Sequence, residues 1–442
     1  MVACGDDETI PNPKYPSTVD GGDSLSLPSQ AQDLVIYEVN LRAFSSQGNL
    51  KGVEAGLDHI QSLGVNCLWL MPIHPVGQIK GINSPYSIRD YRKVGSEYGS
   101  MADLKSLVNA AHQRGIAVMM DWVANHTAWD HPWINRHPDW YTQDAQGNII
   151  HPPGTNWLDV ADLNFSVPVM RDSMIASMQY WIDEVNIDGF RCDYADGVEK
   201  DFWQQAIGQL RAQSNKTLFL LAEGVRADHQ EAGFDLMFSW DFYHHLKQAF
   251  TIGAPLSDLR AAEERESAAA DRTPRLRFTT NHDESAWDQT PVQLFGGLKP
   301  AFAAFAISTF SGGIPLIYSS QEVGRSNTLP FFSNDPIDWT QNPEYLLQYQ
   351  ELMEQYNRYV PQRTLSQSIP HNHIYLQSFD DPNQSGRKGT LIVAINSRGN
   401  YRRIDWPAEF QGEAVDLLSG ANITIADTSL LPAYAVKMLL FE

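Results

Sequence analysis

Cysteine is scarce, with three residues in a chain of 442. Cys67 and Cys192 lie inside apolar runs, so the chain has no disulfide scaffold and no cysteine spacing that fits a metal site. Both are expected to be free core thiols. Basic residues are also few, and 32 Lys and Arg against 53 Asp and Glu give a net charge of −21. A surface of that sign repels a phosphate backbone, which excludes nucleic acid as a partner but leaves a neutral polysaccharide open. Long apolar runs are missing too. The stretch from Ala301 to Tyr318 is interrupted by Ser311-Gly312-Gly313 and reads as helix, turn and strand, not as a membrane span. What the chain does have is core material and rings: 43% apolar residues, 12 Trp and 17 Tyr. The length allows one large domain and a smaller one.

Residues 1–33 are rich in Pro, Ser, Gly and Asp and read as a flexible tether. From Leu34 a rhythm begins in which a short apolar run, a polar loop and a helical stretch repeat. The strand candidates are Val35–Phe44, Cys67–Ile73, Ala117–Val123, Gly189–Asp193, Leu218–Glu223, Asp235–Phe238, Leu276–Thr280 and Ile314–Tyr318. Helical periodicity fills stretches between them, as at Asp103–Arg114, Arg171–Val185 and Phe202–Ala212. Eight such units predict an α/β fold, a parallel (β/α)8 TIM barrel over residues 34–360. Residues 127–168 break the rhythm with Trp129, Trp133, Trp140, Tyr141 and Trp157. An insertion after the third strand falls on the C-terminal face of the barrel, where active sites form. From 361 to 442, short runs separated by Gly, Asn and Pro turns predict a C-terminal antiparallel β domain of the sandwich type.

Four of the barrel segments end in chemistry. In Asp188-Gly189-Phe190-Arg191-Cys192-Asp193, Arg191 and Asp193 share a strand face, an arrangement expected to hold Asp193 ionised. The other three are Asp121-Trp122-Val123-Ala124-Asn125-His126, the strand ending in Glu223-Gly224, and Asn281-His282-Asp283. In order and content these segments resemble the four signature regions of the α-amylase family of retaining glycoside hydrolases. Residue by residue, the resemblance implies Asp193 as nucleophile, Glu223 as acid/base and Asp283 as transition-state stabiliser. His126, His282, Arg191 and Tyr86 would contact sugar, the Tyr86 ring by stacking. Physical reasoning runs beside this. Neighbouring barrel strands lie about 4.8 Å apart, which suits the close carboxylate pair of a retaining enzyme. The apolar run before Glu223 would raise its pKa toward that of an acid catalyst. Asp121 and Asn125 read as scaffold.

The chain also departs from the family pattern. Where a Lys-His pair often follows the nucleophile motif, Asp196 and Gly197 stand, and Ser320 replaces a common glycine before Gln321-Glu322. No cofactor is required for the chemistry. Asn125 and Asp162 leave room for a structural calcium. Met1-Val2-Ala3-Cys4-Gly5-Asp6-Asp7-Glu8 resembles the lipidation site of a bacterial lipoprotein, so an exported enzyme of a Gram-negative bacterium, anchored through Cys4, is expected. The expected activity is hydrolysis of starch-like α-glucans or malto-oligosaccharides. The alternatives are a transglycosylase or short-oligosaccharide α-glucosidase and, outside catalysis, an inactive carbohydrate-binding homologue.

Overall fold

A computed structural model describes residues 26–268, 273–384 and 386–441; Cys4 and its neighbours lie outside that range. Eight parallel strands close into a barrel: β1 (Ile36–Val39), β2 (Cys67–Leu70), β3 (Ala117–Trp122), β4 (Gly189–Cys192), β5 (Phe219–Ala222), β6 (Leu236–Phe238), β7 (Arg275–Arg277) and β8 (Ile314–Tyr318). Each strand pairs with its neighbour in sequence, and β1 closes the ring against β8. Nearly every strand residue is buried, because parallel strands in a barrel have side chains packed on both faces. Cys67 and Cys192 are free and buried in this core.

Most strands are shorter than the apolar runs suggested, β1 and β7 among them. β1 stops at Val39, and Leu41–Phe44 form a helical turn. Asn40 causes the break by donating its amide to Tyr318 Oη and Pro330 O, both at 3.1 Å. β7 ends at Arg277, so Asp283 sits not on a strand but on the short helix His282–Trp287, which Asn281 caps.

Local chemistry fixes the other elements. The helix Met101–Gln113 starts in a capping box between Ser100 and Asp103. Gly189 lets β4 approach β5, since a Cβ there would lie 1.9 Å from Phe219 O. The helix Leu298–Phe310 is apolar all round and buried from Pro300 onward, packed between β8 and the C-terminal strand Leu391–Asn396. Ser320, at φ 82°, occupies a left-handed position that glycine adopts more easily.

In the insertion, His126–Ala128 pairs antiparallel with Val160–Asp162 and brings the loop back over the barrel mouth. Beyond the helix Pro343–Tyr359 lies a six-stranded antiparallel sheet. A two-stranded sheet (Arg402–Asp405 with Thr428–Leu431) adds to it. Ile392 and Ile404, one from each sheet, share a small separate core with Trp406 and Phe410. No helix among the described residues is long and apolar enough to cross a membrane.

Candidate active site

The C-terminal ends of the strands open into a cleft of about 680 Å³. Asp193 and Glu223 stand on its floor. Each follows the last residue of its strand, and those residues, Cys192 and Ala222, are register partners. Backbone bonds continue the pairing: Glu223 N–H donates to Cys192 O at 3.0 Å and Asp193 N–H to Trp122 O at 2.9 Å.

Arg191 is the hub beneath them. It is fully buried, with Nη1 2.8 Å from Asp121 Oδ1 and 3.1 Å from Asp193 Oδ1, and Nη2 2.7 Å from Glu223 Oε1. Its guanidinium also lies 5.0 Å from the centre of the Trp69 ring. One cation is therefore shared among three carboxylates, where the shared strand face had pointed to Asp193 as its partner. Burial pushes the Asp193 carboxyl up; Arg191 opposes this, while Glu223 and Asp121 add to it. Burial also raises Glu223, with Arg191 opposing and Asp283 adding.

Asp121, expected as scaffold, organises the central wall. It accepts from Trp69 Nε1 at 3.1 Å and from Tyr86 Oη at 3.0 Å in addition to its Arg191 contacts. Tyr86 Oη also lies 2.8 Å from His282 Nε2, and the two rings stack at 5.2 Å. His282 Nδ1 meets buried Glu38 Oε1 at 2.5 Å, and its Nε2 lies 3.4 Å from Asp283 Oδ2. Burial works against a charge on His282, but Asp283 and Glu38 outweigh it and lift its pKa to about 9. His126 is the opposite case: burial lowers it to about 4, so it is neutral.

All seven residues singled out in the sequence thus converge. Six of them line the cleft directly, and Arg191 lies under the floor. Sequence reasoning missed Glu38, Trp69, Tyr194, Trp240, Trp287 and Phe331. Glu38 left a readable signal, a carboxylate inside the apolar run Val35–Val39. Trp287 and Phe331 left none, because Trp287 ends the short helix His282–Trp287 and Phe331 lies in a loop, and only the fold brings both to the cleft. Of the insertion's aromatics, Trp157 faces the cleft, 5.6 Å from the His126 ring. Trp133 and Trp140 pack on each other at 5.0 Å instead.

Among the described residues, no group of three or more His, Cys, Asp or Glu is placed to hold a metal. Asn125 contacts His126 Nδ1 through its amide nitrogen at 3.3 Å, and Asp162 is the register partner of His126. Two side-chain oxygens fall short of the six to eight that calcium takes, so carbonyls and water would have to complete the set.

Residues 15–159 match the profile of the alpha amylase catalytic domain. The crystal structure of an α-amylase from Lactobacillus plantarum superposes with a TM-score of 0.82 at 27% identity, covering 93% of this chain and 99% of that one. The chain is similar to α-amylases along nearly its whole length. It is also 27% identical, over 439 residues, to an α-amylase of Haloarcula japonica, covering 92% of this chain but only 63% of that protein. It is 33% identical over 220 residues to a trehalose synthase/amylase of Mycobacterium tuberculosis, covering 41% of this chain and 36% of that protein. The closed barrel with a C-terminal antiparallel sheet is the architecture on which this chain superposes with the Lactobacillus plantarum α-amylase.

Proposed function

We propose that this chain is a retaining α-glucoside hydrolase acting on starch-like glucans or malto-oligosaccharides. The observation that carries the reading is the placement of Asp193 and Glu223 on adjacent, register-paired strand ends, both touching one guanidinium. That arrangement favours the close carboxylate pair of a retaining enzyme over the wider, water-holding pair of an inverting one. One proton shared between the two gives one anion and one acid, the state the first step needs.

In that step an Asp193 carboxylate oxygen bonds to the anomeric carbon while Glu223 gives its proton to the glycosidic oxygen and the C–O bond breaks. Glu223, now a carboxylate, takes a proton from water, which attacks the anomeric carbon and displaces Asp193 from the ester. Asp283 and protonated His282 grip the sugar hydroxyls, Arg191 holds both reacting carboxylates in place, and Tyr86, His126 and Trp157 wall the sugar. The names of the relatives support α-glucan as the substrate class.

Transglycosylation uses the same ester with a sugar hydroxyl in place of water. The exposed apolar side chains of Ile82, Val225 and Trp287 at the cleft favour it, since they offer a surface to a sugar acceptor. Anchoring of an exported enzyme through Cys4 belongs to the same proposal and is tested by detergent partition with and without Cys4→Ala.

The deciding experiment is proton NMR of malto-oligosaccharide cleavage. The first reducing end formed should be the α-anomer. A β-anomer first would overturn retention, and no cleavage of any α-glucoside would overturn the activity.

A further inference from the structure

The family pattern places Lys-His where this chain has Asp196-Gly197, and the structure puts Asp196 to another use. Its carboxylate reaches the loop that follows Glu223. Val225 N–H donates to Asp196 Oδ2 at 3.0 Å, Arg226 N–H donates to Oδ1 at 3.3 Å, and His229 Nε2 lies 2.6 Å from Oδ1. Arg226 grips in return, its Nη1 donating to Asp196 O at 3.0 Å and to Val198 O at 2.9 Å. Its Nε donates to Asp228 Oδ1 at 3.0 Å, which holds the guanidinium in that position.

Two further bonds tie the same loops together at the acid itself. Tyr194 N–H donates to Glu223 Oε2 at 2.7 Å, and Ala195 N–H donates to Glu223 O at 2.9 Å. Gly224 is part of the fit, because a Cβ there would lie 2.3 Å from Asp196 Oδ1 and 2.5 Å from His229 Nε2. His229 is buried, and its Nδ1 has no hydrogen-bond partner among the described residues, so its polar contact is spent on Asp196.

Three donors converge on one point: the N–H groups of Val225 and Arg226, and His229 Nε2. A carboxylate satisfies all three, and a lysine at 196 would leave the two backbone N–H groups unpaired. Burial resists a charge on Asp196, but the His229 contact and the Val225 and Arg226 N–H groups prevail, and the carboxyl stays ionised.

We propose that Asp196 is a positioning residue, a clasp closed by Arg226 and His229 that ties the loop after Glu223 to the loop after Asp193 and so aims the Glu223 carboxyl for proton transfer. The inference rests on the hydrolase reading above. Acid catalysis depends on the donor being held within hydrogen-bond reach of the departing oxygen. Loosening the clasp therefore harms reactions that need a proton and largely spares those that do not.

The test compares Asp196→Ala and Asp196→Asn with the native chain on a malto-oligosaccharide and on a nitrophenyl α-glucoside. Hydrogen exchange is followed in segments 194–198 and 223–229. In Asp196→Ala, kcat on the oligosaccharide should fall about 10- to 100-fold and on the activated glycoside by less than about 3-fold. The alkaline limb of the pH profile should move, and exchange should rise in both segments together. Asp196→Asn keeps one acceptor oxygen and should recover part of the loss; it carries the same comparison if the alanine variant does not fold. Equal losses on both substrates with an unmoved pH profile would reduce Asp196 to a structural role and overturn the proposal. If the native chain cleaves no α-glucoside, the hydrolase reading falls by itself. Exchange then decides the clasp: a joint rise supports it, and a rise confined to one segment overturns it.

Discussion

Glu38 Oε1 and His282 Nδ1 meet at 2.5 Å inside the barrel, and Glu38 Oε2 is buried with no hydrogen-bond partner among the described residues. Glu38 comes from β1 and His282 from the short helix that follows β7, so the contact spans the one strand, β8, that lies between them in the barrel. It fixes which ring nitrogen faces Tyr86 and Asp283. Arg191 and the Asp193/Glu223 pair are the other charges around His282, and Arg191 is the one opposing its protonation. With a folded pKa of about 9, His282 contributes stability that is fully present below its ordinary value near 6.5 and is lost as pH rises through about 9. Glu38→Gln should bring that midpoint down toward the ordinary value and cut activity at pH 8 far more than at pH 6. Histidine NMR titration, with His282→Gln to assign the signal, checks it; an unmoved midpoint would refute the pairing.

Asp193→Asn should remove at least about 1,000-fold of the turnover on every substrate, because an amide cannot form the glycosyl ester. Thermal unfolding should stay close to that of the native chain. Normal turnover in protein shown by mass spectrometry not to be deamidated would refute the nucleophile.

Glu223→Gln should separate substrates by leaving group. Malto-oligosaccharides need protonation of the departing oxygen, whereas activated aryl glycosides need little. The expected result is a loss at least about tenfold greater on the oligosaccharide. Equal losses would count against Glu223 as the acid.

His126, His131 and His74 are buried and neutral, with pKa values lowered by burial to about 4, about 3 and about 4. Unfolding lets them take protons, so the stability they hold above about pH 6.5 is lost as pH falls toward 4, on the order of 3 kcal/mol for each. Urea midpoints from pH 7 to 4 should fall steeply, and less steeply in His126→Gln. A slope unchanged by that substitution would contradict this.

Exhaustive chelation should lower the melting temperature or leave it unchanged, and it should not abolish turnover of folded protein. Activity lost by folded protein and restored by a metal would show that the chemistry needs one.

The barrel was legible because its signal is local. Eight apolar runs at strand spacing alternate with helical periodicity, and a strand buried on both faces has little else to encode. Asp193 and Glu223 were legible because each ends such a run. The C-terminal domain was only partly so. The edge strand Thr364–Ile369 is almost wholly exposed and polar, so no apolar alternation marks it. The Arg191 network was half visible: Asp193, two residues away, could be paired by parity, but Asp121 and Glu223 lie 70 and 32 residues off, and only barrel closure shows that one guanidinium serves all three. Asp196 was noticed for what it replaced, and its partner His229 carried no mark at all.

The spacing of Asp193 and Glu223 is set by backbone pairing, with Cys192 opposite Ala222 and Glu223 N–H bonded to Cys192 O. Loops above the cleft can be lengthened, recharged or exchanged without altering it. Moving the two carboxylates apart would mean sliding β5 along β4, and a slip of one residue turns every side chain of the strand to its opposite face. Point substitution can therefore redirect what this cleft accepts, but the separation between its two floor carboxylates is inherited with the barrel and changes only if the barrel does.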